Sequence, residues 1–180
     1  MTEAPPPAGA CRLFFALWPD AATRDALNRT GKWLHQHWDG RRMRADTLHL
    51  TLSFLGDVPA AQRERLLSGI QAAALAPFEL SLDQPGYWPH NRIGWLGLRQ
   101  PSAQLEHLVQ ALREQLRELA VPFDDRPHTP HVTLLRKSRG GVAATCQPVR
   151  WKIDGFVLVA SNPQADGAHY DVLKHWPLVA

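Results

Sequence analysis

The chain has only two cysteines, Cys11 and Cys146, among 180 residues. Two cysteines cannot build a disulfide framework, and this pair lacks metal-ligand spacing, so a reducing cytoplasm is the expected compartment. Long apolar runs are missing as well. No segment approaches the ~20 residues that a membrane span needs. Residues 1–10 are rich in Pro and Ala, without a cationic start followed by an apolar stretch. A disordered tail is expected there, not a signal peptide. No serine stands in a Gly-x-Ser-x-Gly context, so nothing supports a Ser-His-Asp hydrolase. No convincing cluster of carboxylates offers a metal site. Excess charge is small, at +3 with a pI near 9.2. That balance permits a polyanionic partner without establishing one.

What the chain does have is one phrase written twice: His49-Leu50-Thr51-Leu52 and His131-Val132-Thr133-Leu134. With 9 His in 180 residues, random order would give roughly 0.06 copies of His-x-Thr-Leu per chain. Successive side chains of a strand point to opposite faces. Each phrase therefore offers two apolar residues to a core, and a histidine with a threonine to the other face.

Around these phrases the pattern alternates between strand and helix. Leu13–Trp18 reads as a buried strand. Asp20 caps a helix expected to run to His37, locally weakened by Gly31. Arg41, Arg42 and Arg44 then form a basic cluster, which reads either as a solvated loop or as a phosphate-backbone contact. The first motif strand is expected to end at Leu55, before Gly56-Asp57. Pro59 opens a helix carrying Leu66, Leu67, Ile70 and Ala74, closed by Pro77. Glu79–Asp83 alternates like a strand. Pro85–His90 reads as a turn, and Ile93–Leu98 as a buried strand. From Ser102 a helix presents Leu105, Leu108, Val109, Leu112, Leu116 and Leu119 on one stripe, with Arg113 among its solvent-side charges. Ser138–Thr145 is a loop, and Phe156–Ala160 and Tyr170–Trp176 are closing strands. This rhythm suggests two similar α+β lobes face to face, not a short-period solenoid.

The duplicated phrase suits chemistry at phosphorus. Histidine titrates near ~6.5, so of two imidazoles in one cleft one can act as base and the other as acid. Two threonine hydroxyls can hold non-bridging phosphate oxygens. No cofactor or metal is required. A lone strand histidine is more often structural, and duplication weighs against that explanation here. Zinc would need a third ligand. His128 lies three residues before His131, an offset that on a strand points to the opposite face.

At these residues the chain resembles the two-histidine (2H) phosphoesterase superfamily, with its paired His-x-Thr-hydrophobic (HxTx) motifs about eighty residues apart. The flanks are similar to the bacterial RNA 2',3'-cyclic phosphodiesterase family, also called 2'-5' RNA ligase. They comprise Arg12-Leu-Phe-Phe-Ala-Leu, Leu48-His-Leu-Thr-Leu-Ser-Phe-Leu-Gly56, Trp95-Leu-Gly97, and Arg126-Pro127 followed by Pro130-His-Val-Thr-Leu-Leu-Arg136. Tyr170–Trp176 matches too. The resemblance spans Arg12 to Trp176. It implies an α+β, bilobal fold over residues 11–180, with two pseudo-symmetric lobes, each an antiparallel sheet with helices packed outside, around a central cleft. It implies hydrolysis of RNA 2',3'-cyclic phosphate ends to 2'-phosphates, with reversible 2'-5' joining. A metal-independent, monomeric protein without a membrane partner is expected.

By the motif match, His49 and His131 are the catalytic pair, and Thr51, Thr133 and Arg136 hold phosphate. The resemblance favours His49 as acid on the leaving oxygen and His131 as activator of water. Phe54 is either a base-stacking residue or a core aromatic. Arg44 and Trp88 are further substrate-contact candidates. His128 departs from the family, which often has Phe there, and bears on the terminal-nucleotide pocket. The alternatives are a 2H phosphodiesterase for a small cyclic nucleotide or 2'-5' oligonucleotide, and a non-catalytic RNA-end binding module.

Overall fold

A computed structural model of the chain describes residues 10–142, 145–164 and 167–180. The tail expected over residues 1–10 lies, apart from Ala10, outside them. The architecture is α+β. Strand β1 (Cys11–Leu17) is central, and its residues Leu13–Leu17 are all buried. It pairs antiparallel with β3 (Leu50–Val58) on one side and with β10 (Gly155–Gln164) on the other. β10 pairs with β11 (Gly167–Val179), and β11 takes the short β4 (Ala73–Ala74) in parallel. Beyond β3 lie β8 (His131–Arg136), β7 (Ile93–Gly97) and β6 (Gln84–Trp88). A two-residue β2 (Arg41–Arg42) also pairs with β8. The expected two sheets are thus halves of one nine-stranded sheet. Their seam is a single pairing, Leu50 with Val132, between the two motif strands. A separate two-stranded sheet joins β5 (Phe78–Leu82) to β9 (Val149–Ile153).

Three α-helices among the described residues complete the fold. α1 (Ala21–Trp38) starts where Asp20 accepts a bond from the Thr23 amide at 2.7 Å. A cap of this kind is worth about 1 kcal/mol. Leu27, Leu34 and Trp38 form its buried stripe. Gly31 does not break it, because the position is buried in the same stripe, against Leu134. α3 (Ala103–Glu118) carries the expected leucine stripe and is capped by the Ser102 hydroxyl. Arg113 departs from expectation: it is 7% exposed. Its guanidinium turns inward to donate to the Arg126 carbonyl at 2.8 Å.

Other departures have local causes. α2 (Ala60–Gly69) ends before Ala74, because Trp176 Nε1 donates to the Ile70 carbonyl at 2.8 Å and β11 takes Ala73 and Ala74 into a ladder. β6 replaces the turn expected at Pro85–His90. It is an edge strand, where the missing amide of Pro85 costs little. Gly86 is required there, since a Cβ would lie 2.0 Å from the Trp95 ring. β3 continues past Leu55 to Val58 because Gly56 and Asp57 still pair with Leu13 and Arg12.

β3 also carries two register shifts against β1, one beside Leu52 and one beside Leu55. Each extra residue exchanges the two faces downstream of it. Ser53 therefore turns inward, while Phe54 turns outward and is 42% exposed. Strict alternation would have placed Phe54 with Leu50 and Leu52 in the core. Phe54 is thus not a core aromatic.

Candidate active site

The two histidines are held in the same way. His49 Nδ1 lies 2.7 Å from the Thr47 carbonyl, and His131 Nδ1 lies 2.7 Å from the Thr129 carbonyl. A carbonyl can only accept, so each Nδ1 carries the hydrogen and each neutral ring leaves Nε2 with a lone pair. The tether needs the chain to bend back just before each motif strand. A single turn of 3-10 helix at Ala45–Thr47 does this for His49, and an irregular segment ending at Pro130 does it for His131.

The surroundings of the two rings differ. His49 stacks on Trp18 at 5.8 Å between ring centroids, with Phe14 at 4.8 Å and Tyr170 at 5.2 Å. Phe14 belongs to a small apolar cluster with Ala16, Val157 and Val159 on the sheet face opposite the main core. Burial in this cluster drives the His49 pKa from 6.5 down to about 4. The bond to Thr47 opposes the shift, and the charges of His131 and Arg136 add to it. His131 faces Trp88 edge-on at 4.5 Å, with Trp95 at 6.5 Å. Its pKa is also lowered, by burial first and by His128 in addition, against the bond to Thr129. Both rings are neutral at pH 7 in the free protein.

Two adjoining cavities bring most of the candidate residues together. One, of about 360 Å³, is lined by His49, Thr51, Phe54, Thr133, Arg136 and Tyr170, among others. The other, of about 380 Å³, is lined by His131, Thr51, Phe54, Trp88, His128 and Arg113, among others. Thr51 and Phe54 border both, so they stand between the two histidines. Thr133 crosses over, sharing a cavity with His49, not with the histidine of its own phrase. Arg136 ends β8 as an exposed cation on the wall of the His49 cavity. Arg44 borders neither cavity. It pairs with Asp46 at 2.5 Å and sits 3.2 Å from His169 Nε2.

His128 needs a correction. It is not on a strand, so the alternation that would have turned it away from His131 does not apply. Its Nε2 donates to the Thr51 carbonyl at 2.9 Å, linking the approach to the second motif with the backbone of the first. Burial lowers its pKa, against the raising effect of that bond. Among the described residues no three His, Cys, Asp or Glu side chains converge as a metal site. No helix among them is long and apolar enough to cross a membrane.

Sequence reasoning missed the residues that tether and enclose the pair. One signal was available: a threonine also stands two places before each histidine, so the repeat is Thr-x-His-x-Thr at Thr47 and Thr129. Tyr170, brought to His49 by β11, was marked only by its place in a strand and in the matching segment Tyr170–Trp176.

This chain matches the family model described as the 2'-5' RNA ligase superfamily over residues 18–164. It is 37% identical over 173 residues to an RNA 2',3'-cyclic phosphodiesterase of Escherichia coli, covering 93% of this chain and 96% of that one. A protein of the same name from Thermus thermophilus is 31% identical over 180 residues, covering 93% and 90%. Among solved structures, Escherichia coli LigT in apo form superposes with a TM-score of 0.79 at 36% identity, covering 96% of this chain and 100% of that one.

Proposed function

The chain belongs to the 2'-5' RNA ligase superfamily, and on that premise we propose that it hydrolyses RNA 2',3'-cyclic phosphate ends to 2'-phosphate ends by metal-independent acid–base catalysis. The observation that carries this reading is the matched pair of tethered imidazoles, with a threonine and Phe54 between them. The Thr51 and Thr133 hydroxyls and Arg136 hold the phosphate oxygens. Water attacks phosphorus while His131 Nε2 takes its proton. The bond from phosphorus to the 3' oxygen breaks, and His49 gives that oxygen a proton through Nε2. The phosphate stays on the 2' oxygen, and exchange with solvent restores both rings.

The difference between the two rings supports these roles. The carbonyl tether of His131 is exposed and that of His49 is partly buried, so water reaches the first more easily. The bound phosphate supplies the negative charge that raises His49 from about 4 toward the protonated state the acid needs. Phe54, exposed between the cavities, is the stacking surface for a base. The same reading extends to reversible 2'-5' joining: a 5' hydroxyl takes the place of water, loses its proton to His131 and bonds to phosphorus as the bond to the 3' oxygen breaks and His49 protonates it, and the reverse transfers split the 2'-5' bond. It describes residues 11–180 as one bilobal catalytic unit, acting as a monomer in the reducing cytoplasm.

The test is an oligonucleotide with a 2',3'-cyclic phosphate end, incubated in excess EDTA. The expected product carries a 2'-phosphate only. A 3'-phosphate product, or activity lost to the chelator and restored by zinc, would overturn the reading.

A further inference from the structure

Beside the His49 cavity lies a second, of about 230 Å³, lined by Arg41, Arg42, Arg44 and Arg136 with Met43 and Tyr170, among others. The two share Met43, Thr47, Arg136, Ala168 and Tyr170, so they are contiguous. The backbone builds this concentration of charge deliberately. Arg41 stands directly across from Arg136 in the β2–β8 ladder. Like charges opposite one another on neighbouring strands are destabilising. The close approach also demands Gly40, at φ +96, because a Cβ there would lie 2.8 Å from the Ser138 Cα and 2.9 Å from the Arg136 carbonyl.

Several exposed arginines elsewhere sit against carboxylates, as Arg12 does with Asp57, Arg99 with Asp83 and Arg150 with Glu79. Arg44 has Asp46. Arg41, Arg42 and Arg136 have no carboxylate partner among the described residues, although all three are exposed. A repulsive cross-strand pair at the mouth of a phosphate site, without a carboxylate partner among the described residues, is accounted for by an anion that arrives with the ligand.

We propose that this arginine cavity binds a second phosphate of the substrate, on the 5' side of the terminal nucleoside, one linkage from the reacting phosphate. The assignment of the anion rests on the site being a phosphodiesterase for RNA ends. On such an end, every phosphate other than the cyclic one lies on the 5' side. The protein therefore recognises a strand carrying a phosphate, not only a terminal nucleoside.

Equilibrium binding tests this without relying on turnover. The wild-type protein should bind adenosine 2',5'-bisphosphate about 10-fold more tightly than adenosine 2'-monophosphate, the scale of one added charge-assisted contact. Added salt should shrink the preference. In Arg41→Gln/Arg42→Gln the preference should disappear, with the affinity for the 2'-monophosphate unchanged. The single variants should each lose part of it, and serve the same test should the double variant fold poorly. Equal affinities in the wild type, a preference that survives the double substitution, or no measurable binding of the bisphosphate would each overturn the proposal.

Kinetics with nucleoside 2',3'-cyclic phosphates, with and without a 5'-phosphate, separate the two readings. Hydrolysis of both at one KM defeats the second phosphate site and leaves the phosphodiesterase standing. An oligonucleotide 2',3'-cyclic phosphate left unhydrolysed, together with a bisphosphate preference that Arg41→Gln/Arg42→Gln removes, defeats the phosphodiesterase and leaves an anion site.

Discussion

One half of the site encloses its histidine in rings, and the other leaves its histidine near an edge. His49 is bounded by Phe14, Trp18 and Tyr170, and its backbone tether is partly buried. His131 has Trp88 and Trp95 for neighbours, and its tether is exposed. The tether from Nδ1 to the carbonyl two residues back is the same in both halves, so the phrase itself does not distinguish the rings. What distinguishes them is what the rest of the chain brings alongside: β1 and β11 for the first, β6 and β7 for the second. A duplicated motif thus supplies two identically tethered rings, and unequal packing gives them different surroundings.

The largest expected effect comes from removing either ring. His49→Ala and His131→Ala should each lower kcat/KM by at least ~10²-fold, the scale of general acid–base catalysis. A substrate whose leaving group needs no proton then separates the halves. It should rescue His49→Ala substantially and leave His131→Ala impaired. The opposite pattern would exchange the roles, and rescue of neither would reduce both rings to phosphate binders.

The second effect is one of pH. Folding holds His49 at about 4, below its ordinary 6.5, so the unfolded chain takes up a proton there more readily than the folded one. The resulting stabilisation is present above about pH 6.5 and is lost as pH falls toward 4, amounting to about 3 kcal/mol in that interval. The thermal midpoint should drop across this window, and His49→Gln should flatten the drop. Because both rings are lowered, the bell of kcat/KM should be centred on the acidic side of 6.5. A midpoint that changes equally in wild type and His49→Gln would remove the enclosed ring from the account.

The smallest expected effect concerns the strut between the halves. His128→Ala removes the bond to the Thr51 carbonyl, worth about 1 kcal/mol. Activity should fall about 3- to 10-fold, mainly in kcat, with one limb of the pH profile displaced because His128 no longer disfavours charge on His131. An unchanged profile would make His128 a filler of space only.

Much of this was legible in the sequence because it depends on local pattern. The alternation of the two phrases placed Leu50, Leu52, Val132 and Leu134 in the core and turned His49, Thr51, His131 and Thr133 the other way. The leucine stripe and Ser102 delimited α3. What was not legible depends on partners distant in the chain. β9 alternates buried Val149, Trp151 and Ile153 with exposed Arg150 and Lys152, yet so short a run stands as a strand only beside β5. Phe54 faces the cleft because of extra residues opposite β1, which alternation cannot anticipate. Arg113 is buried because the carbonyls of a loop that follows α3 come within its reach.

The carbonyl tethers have a consequence for how such a site can decay. Where a carboxylate orients a catalytic histidine, a single codon change can delete it. Here the acceptors are main-chain oxygens of Thr47 and Thr129, and no side-chain replacement at either position removes an oxygen from the peptide backbone. The tautomer of each ring is therefore inherited with the path of the chain. A neutral acceptor also adds no fixed negative charge that would lock either imidazole in its cationic form.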